Sequence, residues 1–499
     1  MSVETNPQAV RRDKLAALEE RGIDPYPARW RVDDHAASLL EAFRDDAEPM
    51  AARVAGRVVS IRSHGRTSFL HVADATGRIQ VYLRQDELGE ETFALLDYLD
   101  LGDFVGVGGH LFRTRTGEVT IRATEIAVLA KSLRPLPLGK VVEGEGEARA
   151  YHQVADQEFR YRQRYADLAV HSESRQAFVD RARVVRFLRN FLDQRGFLEV
   201  ETPVLQPVYG GAAARPFTTR HNALDSTLYL RIADELYLKR CIVGGLERVY
   251  EIAKDFRNEG IDRFHNPEFT MLELYQAYAD YRDFMDLAEE MLVGLVEELH
   301  GGTQLTFQGG TVDVSRPWPR LPFLDALAEA GVDVSDLSRA ALAREAARLG
   351  IEIAPEEGAG RILDGLFSRL VEPGLEGPAF VIDHPAVLSP LAKTHPRDPR
   401  LVERFEAYLF GSEWANAFSE LNDPREQRKR FEAQVQQAAE GDEEAPNVVD
   451  EDFLRALEYG MPPTAGIGIG IDRLTMFLTD QASIRDVILF PTLRPEEGT

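Results

Sequence analysis

The side chains able to do chemistry concentrate in RVYEIAKDFRNEGIDRFHNPEFTMLELYQAYADY, residues 248–281. With a strand period of two, Val249, Glu251, Ala253, Asp255 and Arg257 share one face, and Tyr250, Ile252 and Phe256 the other. After a loop at 258–266, a second strand groups Phe269, Met271, Glu273 and Tyr275, and turns Thr270, Leu272 and Leu274 away. One face is apolar; the other carries a cation, an aromatic ring, a carboxylate and a phenol. A guanidinium such as that of Arg257 can hold two anions at once in fixed geometry, which a lysine ammonium cannot.

A second stretch, TAGIGIGIDRLTMFLTD (464–480), has glycine at 466, 468 and 470. A strand so stripped of side chains lets a nucleotide approach its backbone, and Arg473 follows in the first turn of a helix. Taken alone, such a strand more often marks close packing. In ANAFSELND, Asn416, Phe418 and Glu420 alternate with Ala415, Ala417 and Ser419. Glu420 and Glu273 converging in a closed pocket would repel each other and require a cation between them. Glu406 and Glu413 flank an expected hairpin turn at Gly411 and Ser412. Residue types alone leave that pair open to being surface glutamates.

The elements that must position these residues separate into blocks. Residues 1–50 read as a helical appendage, with a charged helix over 11–21 broken by Gly22, Pro25 and Pro27. Residues 51–140 show five short alternating strands, turns at Thr76-Gly77 and Thr116-Gly117, and a helical insert at 88–99, the pattern of a closed barrel of the oligonucleotide-binding type. Phe69 and His71 alternate there with Leu70 and Val72, so Phe69 either faces outward beside Arg62 and Gln80 or fills the barrel. Residues 141–174 read as a linker. Residues 175–499 follow as an α+β domain with a helix-rich insertion at 325–372; its helix over 175–195 closes at Gly196, and FLEVETPVL reads as a strand interrupted by Pro203.

The formal charge of −25 argues at first against a nucleic-acid partner. Between 51 and 140, however, twelve Lys and Arg outnumber ten Asp and Glu, so the acidity lies elsewhere, as in the run at 440–444. Cys241 is the single cysteine, which excludes an intrachain disulfide and a thiolate metal cluster. Met1 is followed by a polar stretch, and no run approaches the roughly 20 apolar residues of a membrane span, so the protein is expected in the cytoplasm.

Residues 248–281 resemble the second signature motif of class II aminoacyl-tRNA synthetases, 464–480 the third, and 179–203 the first, which in that family builds a homodimer interface. The segments RYRQRYADL (160–168), GGAAARPFTTRHNALD (210–225), ELYLKR (235–240), SPLAK (389–393), FSELND (418–423) and PPTAGIGIGIDRL (462–474) narrow the resemblance to bacterial lysyl-tRNA synthetases of subclass IIb. It implies activation of lysine with ATP and Mg2+ and transfer to tRNA(Lys), with Arg257 and Arg473 catalytic. Gly211 and Glu235 would hold the α-amino group, Arg257 and Asn416 the carboxylate, and Glu273, Tyr275 and Glu420 the ε-ammonium, with Phe418 along the stem. Glu259, His265, Phe269 and Gly470 would lie by ATP, Glu406 and Glu413 by Mg2+, and Arg62, Phe69, Gln80 and Glu118 by the anticodon.

Three positions depart from that family: Asp234 stands for the usual Pro, Ala417 for Gly with a methyl expected beside the lysine pocket, and Val387 for a Glu before SPLAK. An aspartyl or asparaginyl synthetase would need a cation for its substrate's side chain. A paralogue that lysylates protein would lack the barrel, and a non-catalytic descendant would lack Arg257, Arg473 or the acidic pair.

Overall fold

The computed structural model describes residues 6–46, 48–138, 140–142, 149–151, 156–354, 357–439 and 445–496. Much of the expected linker, at 143–148 and 152–155, and the acidic run at 440–444 lie outside the described residues. Two compact units form, Met1–His171 and Ser172–Thr499.

The first unit is a closed barrel of β1 (Ala51–His64), β2 (Thr67–Ala73), β3 (Arg78–Arg84), β4 (Phe104–Arg113) and β5 (Val119–Ala130) in the order β1-β2-β3-β5-β4. Alternation decides what is inside. Leu70, Val72, Ile79, Val81, Val105, Val107 and Ile121 fill the interior with 2% exposure or less. Phe69 and His71 therefore face outward. Asp74 shapes the β2–β3 turn by accepting hydrogen bonds from Thr76 N at 2.7 Å and Gly77 N at 3.0 Å.

The N-terminal segment is part of this unit. Its helix, Pro7–Glu20, is capped by Asn6, and Arg11 donates to Leu101 O and Ser132 O at 2.9 and 2.8 Å. Trp30 lies against Gly106, where any Cβ would strike the indole, and Arg53 sits 4.1 Å from the indole centre. The insert is broken into short turns at Gln85–Leu88, Glu90–Phe93 and Ala94–Tyr98.

The second unit is built on an eight-stranded sheet of β6 (Leu198–Glu199), β7 (Arg248–Phe256), β8 (Glu268–Ala277), β9 (Arg320–Pro322), β10 (Ala379–Ile382), β11 (Arg404–Leu409), β12 (Ser412–Ser419) and β13 (Thr464–Gly470). Their order is β9-β10-β11-β12-β13-β8-β7-β6, antiparallel except for the outermost pair at each edge. One face packs on the helices Ser172–Asp193 and Tyr281–His300, burying Leu188, Leu192, Leu272, Leu274, Phe284 and Leu292. The opposite face is left for the site. The expected insertion holds helices Phe323–Glu329, Arg339–Arg348 and Ala359–Leu370 around a core of its own, with Phe323 stacked on Phe367 at 4.5 Å.

Two expectations are corrected. FLEVETPVL forms only the two-residue strands Leu198–Glu199 and Leu205–Gln206, because Pro203 has no N–H to give and the N–H of Thr202 is taken by the Glu251 carboxylate at 3.1 Å. The hairpin turns at Phe410 and Gly411, one residue earlier than expected. Both have positive φ, 52° and 69°, as a two-residue turn of the favoured twist requires. No helix among the described residues is long and apolar enough to cross a membrane.

The barrel interior predicts a sharp asymmetry. Leu70→Ala should cost about 2–5 kcal/mol of barrel stability, read as lost hydrogen-exchange protection across β2 and β3; unchanged protection would place Leu70 outside the core.

Candidate active site

Strand register assembles the site. Glu251 pairs with Glu273 and Asp255 with Phe269 across β7 and β8, Glu273 with Gly468 and Tyr275 with Gly466 across β8 and β13, Gly468 with Asn416 and Gly466 with Phe418 across β13 and β12, and Asn416 with Glu406 across β12 and β11. Five strands thus present one polar face with a glycine strip through its middle. A Cβ on Gly468 would run into the Glu273 carboxylate and one on Gly466 into Tyr275 and Glu420, so bare backbone there is a steric necessity.

Above the strip lies a cavity of about 490 Å³. Gly211, Glu235, Arg257, Glu259, His265, Phe269, Glu273, Tyr275, Glu413, Asn416, Phe418, Gly470 and Arg473, all singled out in the sequence, line it together. Gly211 has φ +90°, and a Cβ there would press on Ala233 and Glu235. Asn416 accepts a hydrogen bond from Arg404 Nε at 2.9 Å through its carbonyl, which leaves its amide hydrogens to donate to a ligand.

One end of the cavity is cationic. Among the described residues, no carboxylate lies within ion-pair distance of Arg257 or Arg473. Arg257 donates weakly to Ile232 O at 3.4 Å with its guanidinium 5.0 Å from the Phe269 ring centre, and Arg473 donates to Glu413 O. Two half-buried guanidiniums without an ion-pair partner among the described residues make a receptor for anions. Arg473 sits in the helix Ile471–Leu478, whose Asp472 is spent on Arg181 at 2.5 Å and Thr270 N at 2.6 Å. His265 is held by Asp262 at 2.8 Å and is exposed.

Glu413 lines this end, whereas Glu406, paired across the sheet from Asn416 and ion-paired with Arg404, is not among the lining residues. Burial works against ionisation of Glu406, but Arg404 and His384 outweigh it and hold its carboxyl below the usual range; Tyr408 also donates to it at 2.7 Å. Burial and the charge of Glu406 push Glu413 up to about 7. No group of three or more His, Cys, Asp or Glu able to hold a metal forms among the described residues. Two carboxylates suit Mg2+ only where phosphate oxygens complete the shell.

The other end is anionic. Glu235 and Glu273 line it, and Tyr275 donates to Glu273 at 3.0 Å. Glu420 is 1% exposed and lies one layer beneath, against Gly466. Between Glu235 and Glu420 stands a cation that the sequence reading did not count, Lys239, fully buried and paired with both. Its spacing of four residues from Glu235 on the helix Glu235–Val243 was the available signal. Burial opposes the charge on Lys239, but the two glutamates outweigh it and keep it protonated. Burial, then Glu235 and Asp255, raise Glu273 to about 8.

The three departures resolve differently. Asp234 is fully buried, with neither oxygen hydrogen bonded, and burial together with Glu273, Asp255 and Glu251 raises its pKa well above the carboxylate range. Ala417 does not reach the pocket: strand alternation sends its methyl into the apolar core on the other face. Val387 is half exposed.

On the barrel, the outward face gathers Arg62 opposite Phe69, and Phe69 against Tyr82 at 4.7 Å between ring centres. Glu118 accepts from Gln80 at 2.7 Å and hydrogen bonds His71 at 2.9 Å. His71 and Tyr82 extend the four residues expected there.

The profile of the family described as tRNA synthetases class II (D, K and N) matches residues 156–494, and that of the OB-fold nucleic acid binding domain matches 52–129. Fold and site thus define a class II tRNA synthetase carrying an OB-fold domain. The lysine–tRNA ligase of Moorella thermoacetica is 53% identical over 499 residues, covering 100% of this chain and 99% of its own. Those of Carboxydothermus hydrogenoformans and Dehalococcoides mccartyi are 51% and 50% identical, each across 98% of this chain and 98% and 97% of their own. The chain belongs to the lysine–tRNA ligases of class II.

The glycine strip gives a direct test. Gly468→Ala should displace the Glu273 carboxylate and raise the amino-acid KM in pyrophosphate exchange by about tenfold or more, with ATP KM little changed; an unaltered amino-acid KM would detach Gly468 from that subsite.

Proposed function

We propose that this chain activates lysine with ATP, forming lysyl-adenylate and pyrophosphate, and then transfers lysine to the 3′ end of tRNA(Lys). The observation that carries the substrate is the charge count at the anionic end. Three carboxylates, Glu235, Glu273 and Glu420, face one internal cation, Lys239. Two carboxylates are left without a resident cation, held toward their neutral form by burial until cations arrive, and lysine brings two ammonium groups. A substrate with an anionic or neutral amide side chain would leave that end unmatched, which argues against an aspartyl or asparaginyl specificity.

In the proposed reaction, Gly211 and Glu235 take the α-ammonium and Glu273 and Tyr275 the ε-ammonium, with the charge of Glu420 acting on it from beneath the cavity floor and Phe418 beside the stem. Arg257, with the free amide hydrogens of Asn416, holds the lysine carboxylate against the α-phosphate. A carboxylate oxygen attacks the α-phosphorus, the bond to the bridging oxygen of the β-phosphate breaks, and pyrophosphate leaves. Arg473 balances charge on the departing phosphates. The attacking carboxylate is already ionised, so no protein base is required. Glu406 and Glu413 would hold Mg2+ against those phosphates, supplying charge neutralisation. Glu259, His265, Phe269 and Gly470 surround the nucleotide.

The outward barrel face is proposed as the anticodon site. Phe69 and Tyr82 offer stacking surfaces, and Arg62, Gln80 and Glu118 offer polar edges, the means by which unpaired bases are held. A homodimer through residues 179–203 is supported by the exposure of Val179 and Leu198, each about half open in the single chain. A cytoplasmic setting is proposed on the same reading.

Arg257→Ala should abolish lysine-dependent pyrophosphate exchange; near-normal exchange would remove it from the reacting centre. Lysine affinity should rise as pH increases toward about 8. Glu273 is protonated below that pH in the free pocket, and a bound ammonium expels the proton. Calorimetry at neutral pH in buffers of different ionisation enthalpy should therefore show proton release on lysine binding, and proton uptake would contradict the assignment. Phe69→Ala should weaken tRNA charging and leave exchange intact; unchanged charging would remove the barrel face from tRNA recognition.

A further inference from the structure

The buried lysine beneath the pocket has no part in the reaction as described, yet it links the two subsites that the substrate must bridge. Lys239 side-chain exposure is 0%, and its ammonium contacts Glu235, assigned to the α-amino end, and Glu420, assigned to the ε-amino end. Aromatic rings complete its surroundings, with the Phe418 centre at 5.2 Å and the Tyr275 centre at 6.0 Å. The other cations around the cavity cannot stand in for it: half-buried Arg404 is committed to Glu406 and to Asn416 at 2.9 Å, and buried Arg231 to Glu251 at 2.8 Å.

Without a resident cation, Glu235, Glu273 and Glu420 would form an unbalanced buried cluster that keeps itself neutral by binding protons. A neutral cluster has little reason to prefer a dication. With one resident cation, part of the cluster ionises, and the two glutamates that clasp it are fixed in place.

We propose that Lys239 is a positioning and specificity-determining residue, an internal ammonium that fixes Glu235 and Glu420 and sets the pocket's demand at two further positive charges. It touches no reacting atom. The charged and titratable groups facing it are Glu235 on its own helix, Glu420 after β12, and Glu273 and Tyr275 on β8, with Arg404 the next cation. The proposal rests on the lysine assignment made above.

The test is lysine-dependent pyrophosphate exchange in the full-length protein, comparing wild type with Lys239→Met and with Lys239→Gln, which keeps a hydrogen-bonding side chain without the charge. Lys239→Met should raise the lysine KM by about a hundredfold or more, with Lys239→Gln intermediate, while ATP KM stays within about twofold. The pH midpoint of lysine KM should move upward in both variants, because the glutamates lose the cation that ionises them; a packing role alone would not move it. A folded variant with unchanged lysine KM and pH midpoint overturns the proposal. Loss of fold in both variants assigns Lys239 to stability only and overturns it as well. Wild-type protein without lysine-dependent exchange would instead remove the substrate assignment itself.

Discussion

The arrangement depends on one electrostatic constraint, the pairing of Lys239 with Glu235 and Glu420 below the floor of the cavity. Breaking a buried pair by removing one partner costs about 3–5 kcal/mol, because the remaining charge is left without solvent or counterion. The neighbouring carboxylates share the same buried, electronegative surroundings. Glu273 is raised by burial and then by the charges of Glu235 and Asp255, and Asp234 is raised well above the carboxylate range by burial and then by Glu273. Charge is therefore unevenly divided along the cavity, with carboxylates in excess at one end and, at the other, the guanidiniums of Arg257 and Arg473, which have no ion-pair partner among the described residues. A molecule with ammonium groups behind a carboxylate, lying against a polyphosphate, matches that division in sequence along its length.

The sheet makes the division possible. Its helix-covered face supplies the core, so the exposed face is free to carry polar residues without loss of packing. Gly466, Gly468 and Gly470 thin the centre of that face, and the side chains of β8 and β12 lean over the gap from either side. Close backbone approach and charge placement come from the same residues.

Much of this was legible in the sequence because strand periodicity fixes faces. The alternation around Glu273 and around Asn416, and the positions of Phe69 and His71 against Leu70 and Val72, follow from a period of two and hold in the structure. What was missed lies where neighbours come from separate elements. Lys239 and Glu235 are recognisable as a helical pair, but nothing in the chain order says that Glu420 closes the other side of the same ammonium. Periodicity also corrects a misreading: Ala417 alternates with Asn416 and Phe418, so its methyl belongs to the core. The turn at Phe410 and Gly411 and the short strands around Pro203 were set by local geometry, in positive φ at two consecutive residues and in a backbone donor captured by Glu251.

Norleucine has the carbon chain of lysine without the terminal ammonium, so it isolates the charge from the shape. The most direct measurement is pyrophosphate exchange with lysine and with norleucine at neutral pH. Leaving one carboxylate unmatched should lower kcat/KM for norleucine by about a hundredfold or more. Exchange with norleucine within about tenfold of that with lysine would show that the cavity selects length, and would contradict a pocket built to match two ammonium groups.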